Sequence, residues 1–107
     1  MIRLVQVVPT AKVRLFDLMT RKENELSRRG VGTFRRTGRK AKNRATWSHV
    51  RYKGRIDLAR VGGGITAKIR TAGRAANRWQ LLHAFIGWLD RHFGDQIQLF
   101  TVHYKKS

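Results

Sequence analysis

The chain has 107 residues, no cysteine, 41% hydrophobic residues, and 24 Lys and Arg against six acids, giving a net charge of +18 and an isoelectric point near 11.9. That content fills one modest core and argues against wholesale disorder, while the lack of cysteine excludes a disulfide scaffold and thiolate zinc sites. The charge calls for a polyanionic partner: the isoelectric point exceeds the ~9 that marks nucleic-acid-binding domains, and counter-charge relieves the self-repulsion.

The first segment, IRLVQVV, is rich in β-branched residues and stops at Pro9, which reads as a strand closed by a turn. AKVRLFDLM can alternate as a strand or supply a helical stripe through Leu15, Leu18, Met19 and Leu26, and the balance favours a helix. Thr20 with Glu23 matches a capping box that would start a helix there and end it at Gly30, so a strand followed by a short helix is the alternative. Residues 27 to 44, SRRGVGTFRRTGRKAKNR, place eight basic side chains among eighteen residues with no acid, which reads as a flexible basic arm or loop at about 28–44. Phe34 either stacks on a base there or anchors the arm to the core.

From Thr46 three strands follow as an antiparallel meander: TWSHVRY, a tight turn at Lys53 and Gly54, RIDLARV, three glycines at 62 to 64, and ITAKIRT. Ile65, Ala67 and Ile69 alternate with Thr66, Lys68 and Arg70, so one sheet face is covered and the other wet. The cover is a helix over 77–93, where Trp79, Leu82, Ile86, Leu89 and Phe93 recur at spacings of three and four, with Asn77 and Gln80 as its cap and Gly94 past its end. Leu81, Phe85 and Trp88 widen its apolar sector beyond what one sheet face needs, implying a further cover, either the N-terminal segment or a second copy in a homodimer. IQLFTVHY forms a last strand with apolar residues on both faces, which implies an interior place in the sheet. The expected architecture is a single α+β domain over 1–107, mainly antiparallel, in the order β-α-β-β-β-α-β.

Between Glu25 and Asp90 the only acid is Asp57, against sixteen Arg or Lys. Arg28, Arg29, Arg35, Arg36, Arg39, Lys40, Lys42 and Arg44 are therefore the expected phosphate contacts, with Arg51, Lys53 and Arg55 beyond them. Each phosphate neutralised releases condensed counterions, so such contacts give affinity without sequence readout. If Val50 and Tyr52 turn to the core, Trp47 and His49 turn outward, where Trp47 can stack a base. The glycines of VGGGITAK lack the spacing and the following helix of a phosphate loop and suit a hairpin turn. RNA is preferred over DNA because no groove-reading helix stands out.

Two other readings remain open. A small endoribonuclease would draw on His49, His103 or Tyr104, although no histidine pair has a diagnostic spacing. A protein-interaction module would dock on an acidic partner. The order of three antiparallel strands and a helix is similar to that of double-stranded-RNA-binding domains and of small RNA-cleaving toxins; the final strand departs from both, and no motif residues carry across. The sequence implies no cofactor, no metal site and no membrane partner, and with no membrane-length apolar run or cleavage pattern the expected location is cytoplasmic.

Overall fold

The computed structural model of the protein describes residues 2–10, 13–71 and 75–105. Six strands form one antiparallel sheet with two helices on a single face. In chain order the elements are β1 (Ile2–Pro9), α1 (Leu15–Arg28), β2 (Phe34–Thr37), β3 (Arg44–His49), β4 (Arg55–Val61), β5 (Gly64–Arg70), α2 (Ala75–Phe93), a single 3-10 turn at Gly94–Gln96, and β6 (Ile97–Lys105). Across the sheet the order is β2-β3-β4-β5-β1-β6. The α+β class and the general succession are those the sequence implies. The meander, however, has four strands instead of three, because residues 34–37 of the supposed arm pair with β3.

Strand alternation sets the faces. Val5 and Val7 of β1, Ala45 and Trp47 of β3, Ile56 and Leu58 of β4, and Ile65, Ala67 and Ile69 of β5 are all buried and register with one another. The intervening residues form an open face. β1 lies between β5 and β6, and its register with β5 brings backbone so close that a Cβ at Gly64 would collide with the Val7 carbonyl oxygen. Only glycine fits there. β5 and β6 are both antiparallel to β1 and thus parallel to each other, so α2 is the crossover between them.

α1 is one helix from Leu15, with Leu15, Phe16, Met19 and Glu23 turned inward. Thr20 is not its start: its hydroxyl donates to the Asp17 carbonyl one turn back. The helix ends as the sequence implies. Gly30 takes φ +71°, its N–H meets the Ser27 carbonyl and the Val31 N–H meets that of Leu26, which closes a Schellman motif.

Two expectations fail at the other end of the chain. Gly94 does not adopt a left-handed conformation; the chain runs on into the 3-10 turn. β6 is an edge strand, paired with β1 alone, and its second apolar side faces water, with Leu99 half exposed. The proposed Asn77 cap lies outside the described side chains; α2 begins at Ala75. Leu81, Phe85 and Trp88 are buried within the chain itself. Phe34, Trp47, Phe85 and Trp88 form an aromatic cluster with mostly edge-to-face contacts and centroid separations from 5.1 to 6.5 Å. The extra apolar flank of α2 is thus covered by β2 and β3, and no dimer surface is left at these three residues. Among the described residues, no helix is long and apolar enough to cross a membrane.

Candidate nucleic-acid interface

α1 buries one stripe and leaves the other to solvent. On the outer side Asp17, Arg21, Asn24 and Arg28 follow at steps of four, three and four, which is one helix face. β2 runs alongside, antiparallel to the helix, because the Schellman turn reverses the chain. Arg36 pairs in register with Trp47, so it projects on the helix side of the sheet and, from an edge strand, reaches over the flank of α1. Lys40, in the β2–β3 loop, sits with its ammonium 5.3 Å from the centroid of the Phe16 ring and donates to the Ala41 carbonyl at 3.4 Å. Together these groups line a recess of about 490 Å³ between α1 and the β2–β3 hairpin. From Asp17 to Arg28 it runs about 16 Å at the helical rise per residue.

The recess contains one carboxylate, Asp17, which is already engaged: Arg60 of β4 donates to it through Nη2, and the same guanidinium lies over Phe16 at 5.5 Å. Arg21, Arg28, Arg36 and Lys40 have no carboxylate partner among the described residues. Four cations on a concave wall, with nothing to neutralise them, form a site for a chain of anions.

The wall is held in place by a second group of residues. Arg35 alternates to the open face, yet its Nη1 folds back round the sheet edge to the Gly32 carbonyl at 2.8 Å and reaches Ser27 Oγ at 3.5 Å. The Ser27 hydroxyl donates in turn to Glu23 Oε2 at 2.6 Å, and Glu23 is buried beneath the helix. This relay ties β2 to α1. Phe34 adds the apolar anchor. A freely mobile arm is therefore not what the fold builds over 34–37.

Of the residues expected to bind, Arg28, Arg36 and Lys40 come together in the recess. Arg29 is exposed and paired with Glu25 at 3.8 Å. Arg35 serves the relay. Arg39 and Lys42 are exposed in the loop beside the recess. Arg44 and Arg55 point to the open sheet face, where Arg55 stands directly opposite Arg70; Asp57 offsets that repulsion by binding Arg70 Nε at 2.8 Å and accepting the Thr46 hydroxyl at 3.1 Å. Arg51 and Lys53 lie in the β3–β4 loop, apart from the recess.

Trp47 must be corrected: it is fully buried in the aromatic cluster, while Val50 is 60% exposed, so the register is the reverse of the one that made Trp47 a base platform. Phe34 and Phe85 sit against its ring where a base would have to stack. Arg21 is the recess residue that charge density does not reveal, because it lies upstream of the basic run; its signal in the sequence is the 17, 21, 24, 28 spacing.

The residues of the nuclease reading are not assembled. His103 is on the open face opposite Leu4, Tyr104 projects to the other face at the β6 edge, and His49 belongs to β3, four strands away from β6. His49 Nδ1 accepts the backbone N–H groups of Arg51 at 3.0 Å and Tyr52 at 3.2 Å. Burial, and then the nearby Arg51 charge, lower its pKa from the ordinary value. His92 is lowered as well, by burial first and then by Lys22 and Arg91, against an opposing pull from Glu25. Compared with protein-family models, curated proteins and solved structures, the chain matches none of them.

Proposed function

We propose that this protein binds nucleic acid, RNA in preference to DNA, by drawing the phosphate backbone into the recess between α1 and the β2–β3 hairpin. The observation that carries this reading is a set of four cations, Arg21, Arg28, Arg36 and Lys40, that have no carboxylate partner among the described residues and line a recess whose only acid among those residues is held by Arg60. Arg39 and Lys42 extend the positive rim. Three guanidiniums suit phosphate because each can donate two parallel hydrogen bonds. Asn24 and Thr20 supply neutral polar groups between them for sugar hydroxyls or base edges.

Shape supports a single strand over a duplex, and single-stranded segments are what RNA-binding proteins most often read. The outer face of α1 lines a concavity flanked by the hairpin, so it accepts a strand inward and does not protrude as a helix entering a major groove would. The test is a fluorescence-anisotropy titration of protein freed of co-purifying nucleic acid against matched single-stranded RNA, duplex RNA and duplex DNA at several salt concentrations, with each RNA run on a gel afterwards. Salt-sensitive binding with RNA favoured and left intact supports the proposal. Equal, weak binding to all three that vanishes near physiological salt refutes it.

A further inference from the structure

A second recess, of about 420 Å³, lies between the β3–β4 loop and α2. The loop side contributes His49, Arg51 and Tyr52; the helix side contributes His83, Gly87 and Arg91. The three helix residues are spaced four apart and so form one ridge. Among the described residues, no carboxylate lines the recess.

Two features mark it as more than a gap between elements. The first is a fixed aromatic wall. His49 stacks on Tyr52 with centroids 4.7 Å apart and planes 24° from parallel, and Phe34 stands nearly perpendicular to the imidazole with centroids 4.9 Å apart. With Nδ1 accepting two backbone N–H groups, the neutral ring carries its proton on Nε2 and can only donate there. The second is Gly87. In a helix interior glycine costs about 0.5–1 kcal/mol relative to alanine, and a Cβ at this position would meet nothing within 4 Å. Neither backbone conformation nor packing calls for glycine. Its effect is to leave the floor of the recess open beside Trp88.

We infer that this recess holds one nucleotide, a base with its attached phosphate, taken either free or as a unit of a bound strand. Arg51 and Arg91 meet the phosphate, the His49–Tyr52 wall and His83 meet the planar base, and the space left by Gly87 admits it. The volume falls within the ~300–1,000 Å³ of small-molecule sites and is more than a lone inorganic anion needs. The site is separate from the α1 recess and takes only the ligand class from the reading above. Thr33, just before β2, lines this recess, and Arg36 of β2 lines the other.

The experiment titrates adenosine 5′-monophosphate, adenosine and inorganic phosphate separately into the unmodified protein and follows the backbone amide signals of Arg51 and Gly87. The expected result is saturable shifts with the monophosphate binding at least tenfold more tightly than either fragment. Gly87→Leu should weaken it tenfold or more without lowering the melting temperature, because the new side chain enters open space on a better helix former. Replacing both Arg51 and Arg91 with Gln should bring the monophosphate down to the level of adenosine. An RNA decamer that competes for the same amides identifies the strand as the source, and a monophosphate the decamer does not displace identifies the free nucleotide. Phosphate alone binding as well as the nucleotide, or unchanged binding in Gly87→Leu, overturns the inference. This titration involves no strand in the α1 recess, so its failure leaves the proposed function standing, and failure of RNA to bind there leaves this result intact.

Discussion

Replacing Arg21, Arg28, Arg36 and Lys40 together with Gln removes the four unpaired cations of the α1 recess while keeping most of the side-chain length. For a single strand, each phosphate neutralised contributes about 0.7 to the slope of log affinity against log salt. Removing four cations should therefore lower the slope by about 2.8. Between 50 and 200 mM salt that difference corresponds to a factor of roughly 50, so the wild type should lose about 50-fold more affinity over this range than the variant. The two would differ most at low salt and converge as salt rises. The assay is anisotropy with one single-stranded RNA at five or six salt concentrations, alongside a thermal melt. Arg21, Arg28 and Arg36 are exposed and only Lys40 touches an aromatic ring, so unfolding should change by no more than about 1 kcal/mol. An unchanged slope in this variant, together with a reduced slope when Arg44, Arg55 and Lys68 are replaced instead, would place the ligand on the open sheet face and refute the assignment.

Trp47→Ala should destabilise the fold by about 3–5 kcal/mol in a urea titration, as expected for a large buried aromatic; unchanged stability with weakened RNA binding would restore the discarded platform reading. Asp17→Asn removes the charged partner of Arg60, whose Nε already lacks a hydrogen bond. It should cost about 1.5–3 kcal/mol of stability yet strengthen RNA binding severalfold, since the recess gains net positive charge; weaker binding would contradict the electrostatic account. For pH, His49 and His92 titrate below their unfolded value of 6.5. The unfolded chain therefore binds protons first on acidification, and stability should fall from pH 7.5 to 5.5, above the carboxylate range, and less so in a His49→Gln, His92→Gln variant. A melting temperature that rises over that window would reverse the sign.

The fold was legible wherever one face of an element was buried and the other wet. Ile65, Ala67 and Ile69 fixed the covered side of β5, and the three- and four-residue spacings of α2 fixed the cover, because burial imposes those periods. β2 was hidden because only one of its four residues, Phe34, is buried, and a short edge strand leaves almost no period to read. β6 was misplaced for the opposite reason: Leu99 and Tyr104 are apolar or aromatic but more than half exposed. At the site, density of charge identified the region but not the partition. Adjacent Arg35 and Arg36 are equivalent in sequence, yet strand alternation sends one to the structural relay and the other to the recess.

That partition follows the acids. Asp17 holds Arg60, Asp57 holds Arg70, and Glu23 receives the end of the relay that starts at Arg35. Three of six carboxylates are thus committed to cations or relays that shape the sheet edge and its faces, and the recess cations are left over. A protein organised this way carries its repulsion in the folded state, at +18, and screening acts on two quantities in opposite directions. Added salt weakens repulsion among exposed like charges, most completely for those farther apart than the Debye length of about 10 Å at 0.1 M, which should raise the melting temperature of the free protein between 20 and 300 mM sodium chloride. The same salt lowers RNA affinity by displacing the gain from counterion release. RNA bound at low salt should raise the melting temperature by mass action, and this increment should shrink as the salt-dependent increment grows. Melts with and without RNA across that range measure both terms. A free protein whose melting temperature falls with added salt would mean that attractive pairs such as Arg60–Asp17 and Arg70–Asp57 outweigh the repulsion, and would refute this account of a fold that carries its excess charge uncompensated.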